Sequence, residues 1–252
     1  MLLLLAGGNA KQVWDYSYIA DENRSDFHIT MKKGAIAIGF IAAFLFLLLA
    51  VARVSGLVGY YKVVSPGNDP TLKVGDVFFT SALTKPKHKD FICFKGTMPG
   101  STQEAIYCFR LFGMEGDEVE IKNGFCYVNG QFADSGINLA HAFIIADDDL
   151  EGIQRQVIDV ESAYAPSPDS LIVNLPDRAV TDHNLPATRF IAPFVPGVFN
   201  PSNKHWSINF FGPVKVPQGK YFVLGDNRDN AYDSRYIGFI DNGNFKGTVV
   251  YP

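Results

Sequence analysis

Nineteen consecutive residues, Gly34 to Ala52, carry no charged, amide or hydroxyl side chain. A helix needs roughly 20 such residues to cross a hydrocarbon core of about 30 Å. A cleaved signal peptide would hold a shorter apolar core of about 7 to 15 residues, and a helix buried in a soluble domain would show polar positions on one face. The run therefore reads as a transmembrane helix over residues 34–54, which divides the chain into a tail, 1–33, and a domain, 55–252. Lys32 and Lys33 precede the run while Arg53 and Lys62 follow it, so the positive-inside bias is weak. In the tail, the six apolar residues Met1 to Ala6 are too few to span a bilayer. The polar stretch between Asp15 and Asp26 has no assigned function; Met31-Lys32-Lys33 has the form of a start for an anchor, leaving the preceding residues as an upstream extension or a short cytoplasmic tail.

Beyond the span the pattern is that of short strands. Val77-Phe78-Phe79, Phe91 to Phe94, Ile106 to Phe112, Val119 to Ile121 and Phe125 to Val128 are rich in aromatic and β-branched residues, the types that suit a pleated, half-buried surface. Asn123-Gly124 separates the last two runs, and both residues accept the positive φ of a type I′ turn, so a hairpin within a β-meander is expected. Residues 132–200 show few clear periods, an acidic triplet at Asp147-Asp148-Asp149 and proline-spaced pieces such as Ala165-Pro166-Ser167-Pro168, and read as an irregular insertion. The fold class expected is mainly β: one antiparallel domain with this insertion, behind one transmembrane helix.

A net charge of −4 argues against a nucleic-acid binder, for which a basic face is the expected footprint. Cys93, Cys108 and Cys126 have neither metal-site spacing nor the density of a disulfide framework, and read as small apolar filler with one disulfide left open. The five histidines are scattered, and no metal or cofactor is expected.

Chemistry concentrates in a few segments. Gly225-Asp226-Asn227-Arg228-Asp229-Asn230-Ala231-Tyr232-Asp233-Ser234-Arg235-Tyr236-Ile237-Gly238 packs charges, amides and glycines into one loop after the apolar run Tyr221 to Leu224, a composition suited to fixing backbone beside a cleft. This string closely resembles the C-terminal signature of type I signal peptidases, the membrane-anchored serine endopeptidases that remove signal peptides. Asp69-Pro70-Thr71-Leu72-Lys73-Val74-Gly75-Asp76 is similar to that family's nucleophile box, Lys89-Asp90-Phe91-Ile92 to its Gly-Asp-Val-Val strand, and Tyr107 to Asp117 to its Tyr-x-Lys-Arg box. The similarity covers residues 55–130 and 206–252 in family order.

The resemblance also assigns positions. In active members a serine three residues before Pro-Thr-Leu is the nucleophile; here that position is Gly67. The lysine base precedes the Arg of the third box, where Phe109 stands, and the serine that orients the lysine falls on Ala231. A serine needs a positioned base and a lysine needs burial to act as one, so these losses agree chemically. Alternation along the strand predicts Tyr107, Phe109 and Leu111 on one face and Cys108 with Arg110 on the other, with Phe109 filling the cleft. Ser65 matches an oxyanion-hole hydroxyl of some members; as a nucleophile it would need Lys62 or Lys122 re-aimed toward it. Ser65, Pro66, Gly67, Asn68, Asp69 and Phe109 are the expected peptide cleft, and Arg110–Asp226 and Asp233–Arg235 the ion pairs implied beneath it. The implied setting is the inner membrane, single-pass, with the C-terminal domain facing outward. The implied partners are membrane lipid, signal peptides or preproteins, and an active signal peptidase or export machinery. Three readings follow: a non-catalytic homologue that binds preproteins or processing partners, an active peptidase with displaced catalytic groups, and a structural subunit of an envelope complex.

Overall fold

The structure, a computed structural model, describes residues 10–97, 102–154, 164–192, 197–201 and 205–251. It divides into two units, Met1–Ser55 and Gly56–Pro252. Among the described residues the first is a single helix, α1 (Ala10–Val54), so much of the polar tail continues the helix of the span. Thr30–Val54 is long and apolar enough to cross a membrane, with a mean hydropathy of 2.9. Its large side chains, Phe40 and Phe46 among them, are exposed, as an apolar helix that seeks lipid requires. The helix stops at Gly56, whose φ of +75° suits the left-handed residue that closes helix ends.

The second unit opens with β1 (Val58–Lys62), β2 (Val77–Ser81), β3 (Phe91–Gly96) and β4 (Ala105–Gly113). A meander follows: β5 (Glu118–Lys122), β6 (Phe125–Val128) and β7 (Gln131–Phe132). Next come β8 (Ala140–Ala146), α2 (Leu150–Gln154), β9 (Tyr164–Ser167), β10 (Ser170–Pro176), α3 (Asp177–Asp182) and β11 (Ala187–Arg189). The chain ends through β12 (Phe210–Lys215), β13 (Lys220–Leu224), α4 (Ser234–Ile237), β14 (Ile240–Asp241) and β15 (Phe245–Tyr251).

The strands form a seven-stranded sheet, β1-β2-β15-β3-β4-β13-β14, and two four-stranded sheets, β12-β5-β6-β7 and β11-β8-β10-β9. The β5–β6 turn is Asn123-Gly124, with φ of 52° and 80°, and Lys122 pairs with Phe125 across it. Alternation organises the core. Phe222 and Leu224 on β13 join Phe112, Val119, Ile121 and Phe211 in one cluster, while Val223 between them joins Ile92, Phe109 and Leu111 in another. Gly113 marks the closest packing: an added Cβ would lie 2.7 Å from Val119 Cγ2 and 2.8 Å from Val216 Cγ2.

The insertion is more regular than its sequence pattern indicates. β8 and β10 pair along seven residues, from Ala140–Pro176 to Ala146–Ser170. Phe143, Ile145, Val173 and Leu175 bury a separate core with Ile153 and Leu185. No tight turn announces this pairing: the strands are joined through Asp147-Asp148-Asp149, α2 and the edge strand β9, where Pro166 needs no ladder partner on its outer side. Residues 155–163 lie outside the described segments. His141, on β8 itself, is fully buried, its Nδ1 2.7 Å from Asp177 Oδ1.

Three ion pairs centre on the loop 225–238, two joining it to the rest of the domain and one within it. Arg110 Nε donates to Asp226 Oδ1 at 2.7 Å and its Nη2 to Oδ2 at 2.5 Å. Arg235 donates from Nε and Nη2 to the two oxygens of Asp233 at 2.9 and 2.8 Å. The third pair has no counterpart in the sequence reading: Arg228 forks onto Asp134, with Nη1 2.9 Å from Oδ2 and Nη2 on Oδ1. Such forked, charge-assisted pairs hold geometry strongly, and removing one partner strands a buried charge. Asp134→Ala and Asp226→Ala are each expected to lower stability by about 3–5 kcal/mol in denaturant unfolding; unchanged midpoints would contradict this.

Burial holds the His141 pKa below its ordinary 6.5, against the opposing pull of Asp177. The unfolded chain therefore takes up a proton below pH 6.5 that the folded chain refuses, so this stability is complete above that pH and falls away as pH drops through it. Thermal melts should show Tm declining on acidification from neutrality, with a shallower decline in His141→Gln.

Candidate functional site

Between β1 and β2 the chain makes a tight excursion. Ser65 is extended and caps a single 3₁₀ turn, Pro66–Asn68, its Oγ accepting from Gly67 N at 3.4 Å. Proline inside the turn has the φ the turn needs, and the short hydroxyl satisfies a free N–H. Asn68 is buried and its Nδ2 donates to the Cys108 carbonyl on β4 at 2.7 Å. Asn227, from the loop 225–238, donates from its backbone N to Gly67 O at 3.1 Å and from Nδ2 to Pro66 O at 3.2 Å. Thr71 Oγ1 donates to Asp226 Oδ2 at 2.5 Å, so the same carboxylate holds both this segment and Arg110. Asp69 follows in extended conformation and leads into Pro70.

These contacts bring residues remote in sequence to one point. A Cβ built on Gly67 would lie 3.4 Å from Phe109 Cε1, 3.6 Å from Ala231 Cβ and 3.6 Å from Asn230 O. The positions that the resemblance aligns with nucleophile, base and base-orienting residue thus converge, and they carry a hydrogen, a phenyl ring and a methyl group. Gly225 makes the convergence feasible. A Cβ there would sit 2.2 Å from Gly67 O and 2.4 Å from Ala231 Cβ, which no other residue could accommodate. Phe109 is 6% exposed and packs its ring 6.3 Å from that of Phe94, in the cluster that also holds Ala231. Arg110 points the other way, its guanidinium 4.1 Å above the Phe91 ring, and Cys108 packs with Cys93. The alternation predicted for this strand is the one observed.

The point forms one wall of a cleft of about 280 Å³. Tyr61, Val63, Ser65, Ile106, Tyr107 and Tyr232 line the remainder, a mainly apolar surface. Along this cleft β4 has an unpaired stretch, because β13 pairs with it only from Arg110 to Gly113. Lys62 also lines the cleft, with its side chain in solvent. Lys122 belongs to a different sheet, where its Nζ is 2.6 Å from Glu120 Oε2 and lies over the Tyr127 ring. Among the described residues no group of three or more His, Cys, Asp or Glu side chains is placed to hold a metal ion.

Several positioning residues have no counterpart in the sequence reading. Asn227 and Arg228 lie inside the loop that drew attention, and only their individual roles needed the structure. Asp134 and His141 carried no signal, since each finds its partner across a long stretch of chain. Tyr232 stacks on Tyr236, ring centroids 4.4 Å apart, at the mouth of the cleft.

Residues 36–252 match the family described as signal peptidase, peptidase S26. A signal peptidase I of Bacillus licheniformis is 27% identical over 88% of this chain and 92% of its own length. A signal peptidase I of Bacillus amyloliquefaciens is 30% identical over 76% of this chain and 73% of its own. A solved signal peptidase I of Enterococcus faecalis aligns at 23% identity over 66% of this chain and 98% of its own, with a TM-score of 0.31. With the family match spanning nearly the whole chain from the apolar helix to the last strand, this chain belongs to the signal peptidase family, peptidase S26.

Proposed function

We propose that this chain is a membrane-anchored signal-peptidase homologue that binds signal-peptide segments of preproteins in its cleft without cleaving them, its domain facing outward from the inner membrane. One observation carries the reading: Gly67, Phe109 and Ala231 meet at the point where the family's chemistry is expected, and none of the three can attack, or take a proton from, a peptide bond. Ser65 is on hand as a hydroxyl donor, but an oxyanion donor alone starts no acyl transfer.

What remains supports binding. An extended peptide can add as a strand to an open sheet edge, gaining affinity from main-chain hydrogen bonds and specificity from side-chain pockets. The unpaired side of β4 supplies such an edge. Leu111 exchanges both backbone bonds with Lys89 and Asp90, on the β3 side, so by strand alternation the N–H groups of Cys108 and Ile106 turn toward the cleft. The apolar wall made by Tyr61, Val63, Tyr107 and Phe109 suits the apolar residues of a signal peptide. A complex with an active peptidase or export machinery is compatible with the same surface, and copurification would identify it.

The purified chain in lipid is expected to bind a signal-peptide segment and leave a preprotein uncut. A Gly67→Ser, Phe109→Lys, Ala231→Ser triple variant is expected to cut it. The backbone accepts the change, since a Cβ at residue 67 meets only ordinary van der Waals neighbours. Cleavage by the variant should rise with pH through a depressed lysine pKa, because a buried amine acts as a base only when neutral. Cleavage by the unaltered chain would overturn the proposal.

A second variant tests the edge. Ile106→Pro removes an N–H that faces the cleft while sparing the bonds between β3 and β4. Loss of one peptide hydrogen bond, about 1 kcal/mol, should weaken binding roughly five- to tenfold in calorimetric titration. Unaltered affinity would show that peptide does not add to this strand.

A further inference from the structure

Cys93 on β3 and Cys108 on β4 are direct partners in register. The phase of the ladder is set by Lys89 N donating to Leu111 O at 2.7 Å and Leu111 N donating to Asp90 O at 2.8 Å. Residues 111, 109 and 107 therefore turn their backbone groups toward β3, and 110 and 108 turn theirs away. The Cys108 carbonyl accordingly accepts from Asn68 Nδ2 at 2.7 Å on the other side. Cys93 and Cys108 thus form a non-hydrogen-bonded pair, the closer of the two antiparallel kinds, with Cβ atoms about 4.5–5.5 Å apart. A disulfide requires about 3.5–4.5 Å, so a small approach of the strands closes it.

The side chains also meet. The two cysteines pack together, and both line the cleft, Cys93 fully buried and Cys108 half-buried. Cys126 is isolated from them: it sits fully buried beside Val119 and Phe211 in a separate cluster.

We propose that Cys93 and Cys108 are a modification site, a dithiol that is converted to a cross-strand disulfide by exchange with a disulfide-bearing oxidant entering through the cleft. Cys108, the more accessible thiol, gives up its proton, and its thiolate attacks one oxidant sulfur and expels the other. The Cys93 thiolate then attacks Cys108 Sγ of the mixed disulfide, forming the Cys93–Cys108 bond and releasing the second oxidant sulfur. Two electrons pass to the oxidant, which leaves as two thiols carrying the two protons. The product clamps β3 to β4 behind the cleft wall and closes a loop of about fifteen residues. This chemistry involves no peptide, so it stands or falls apart from the binding function proposed above.

The test uses the full chain in detergent, treated with oxidised glutathione and digested without reduction. Mass spectrometry should find the Cys93 and Cys108 peptides joined, two hydrogens lighter than the dithiol, with Cys126 still free. The neighbouring Cys93 side chain, together with burial, holds the Cys108 thiol well above its ordinary pKa, so the rate of joining should climb steadily with pH. Loop closure should raise Tm by roughly 6–12 °C, reversed by dithiothreitol. Cys93→Ala and Cys108→Ala should each abolish both the link and the rise, and either one that folds suffices as control. Glutathione remaining on Cys108, a link through Cys126, or three free thiols after treatment would each overturn the proposal.

Discussion

Arg228 and Arg235 enter the interior on a single loop, and neither guanidinium reaches solvent. A charge in that position must be neutralised and its forked donors must all find acceptors, or the fold cannot close. Arg235 is met by Asp233 and by the carbonyls of Ile208 and Arg228. Arg228 is met by Asp134 and by the carbonyls of Gly124 and Gly225. These acceptors belong to the β5–β6 turn, to the start of the insertion and to the approach to β12. One loop thereby fixes three other parts of the chain, and they fix it in return. Asn227 immediately precedes the first of these arginines, and its backbone N–H donates to the Gly67 carbonyl. The geometry of the cleft is in this sense a by-product of burying charge.

The same view separates the ion pairs of the scaffold from the three residues that meet at the cleft. Arg110, Asp226, Asp233 and Arg235 satisfy one another and do not depend on what stands at residues 67, 109 and 231. Those three positions depend on one another. A lysine at 109 alone would be an amine among Phe94, Leu111 and Ala231 with no hydroxyl to receive it, and a serine at 67 alone would have no base. Glycine, phenylalanine and alanine remove every unsatisfied group together. The apolar set is therefore a consistent solution for a buried wall.

Much of this architecture is legible in the residues because it is local. The span follows from an uncharged run, the β5–β6 hairpin from Asn123-Gly124, and the two faces of β4 from strict alternation. The Arg110–Asp226 and Asp233–Arg235 pairs lie in segments whose order resembles a known family. What escapes is non-local. The sheet in residues 132–200 pairs β8 with β10 without a tight turn between them, so its apolar residues look like scattered runs. Asp134 reads as a turn residue ahead of Gly136 until Arg228 is placed beside it. His141 looks like one more dispersed histidine, and its burial against Asp177 depends on how the insertion folds back. Cys93 and Cys108 look unpaired because their partnership is a matter of register.

The insertion is joined to the cleft through backbone as well as side chains. Ala140 N donates to Asp226 O at 2.9 Å, Arg228 N donates to Ala140 O at 2.8 Å, and Ala142 N donates to Asp229 Oδ2 at 2.9 Å. These bonds seat β8 on residues 226–229, and the residue in the middle of that span, Asn227, carries the Gly67 turn. β8 and the Gly67 turn are thus joined through adjacent backbone groups of residues 226–228. Removing the insertion would leave the Asp226 carbonyl and the Arg228 N–H without these partners, along with the Asp134 end of a buried ion pair. A domain that had merely acquired an appendage would lose nothing at its centre by such a cut. Here the insertion supplies acceptors and donors that the buried loop requires, so insertion and cleft are parts of one hydrogen-bonded structure.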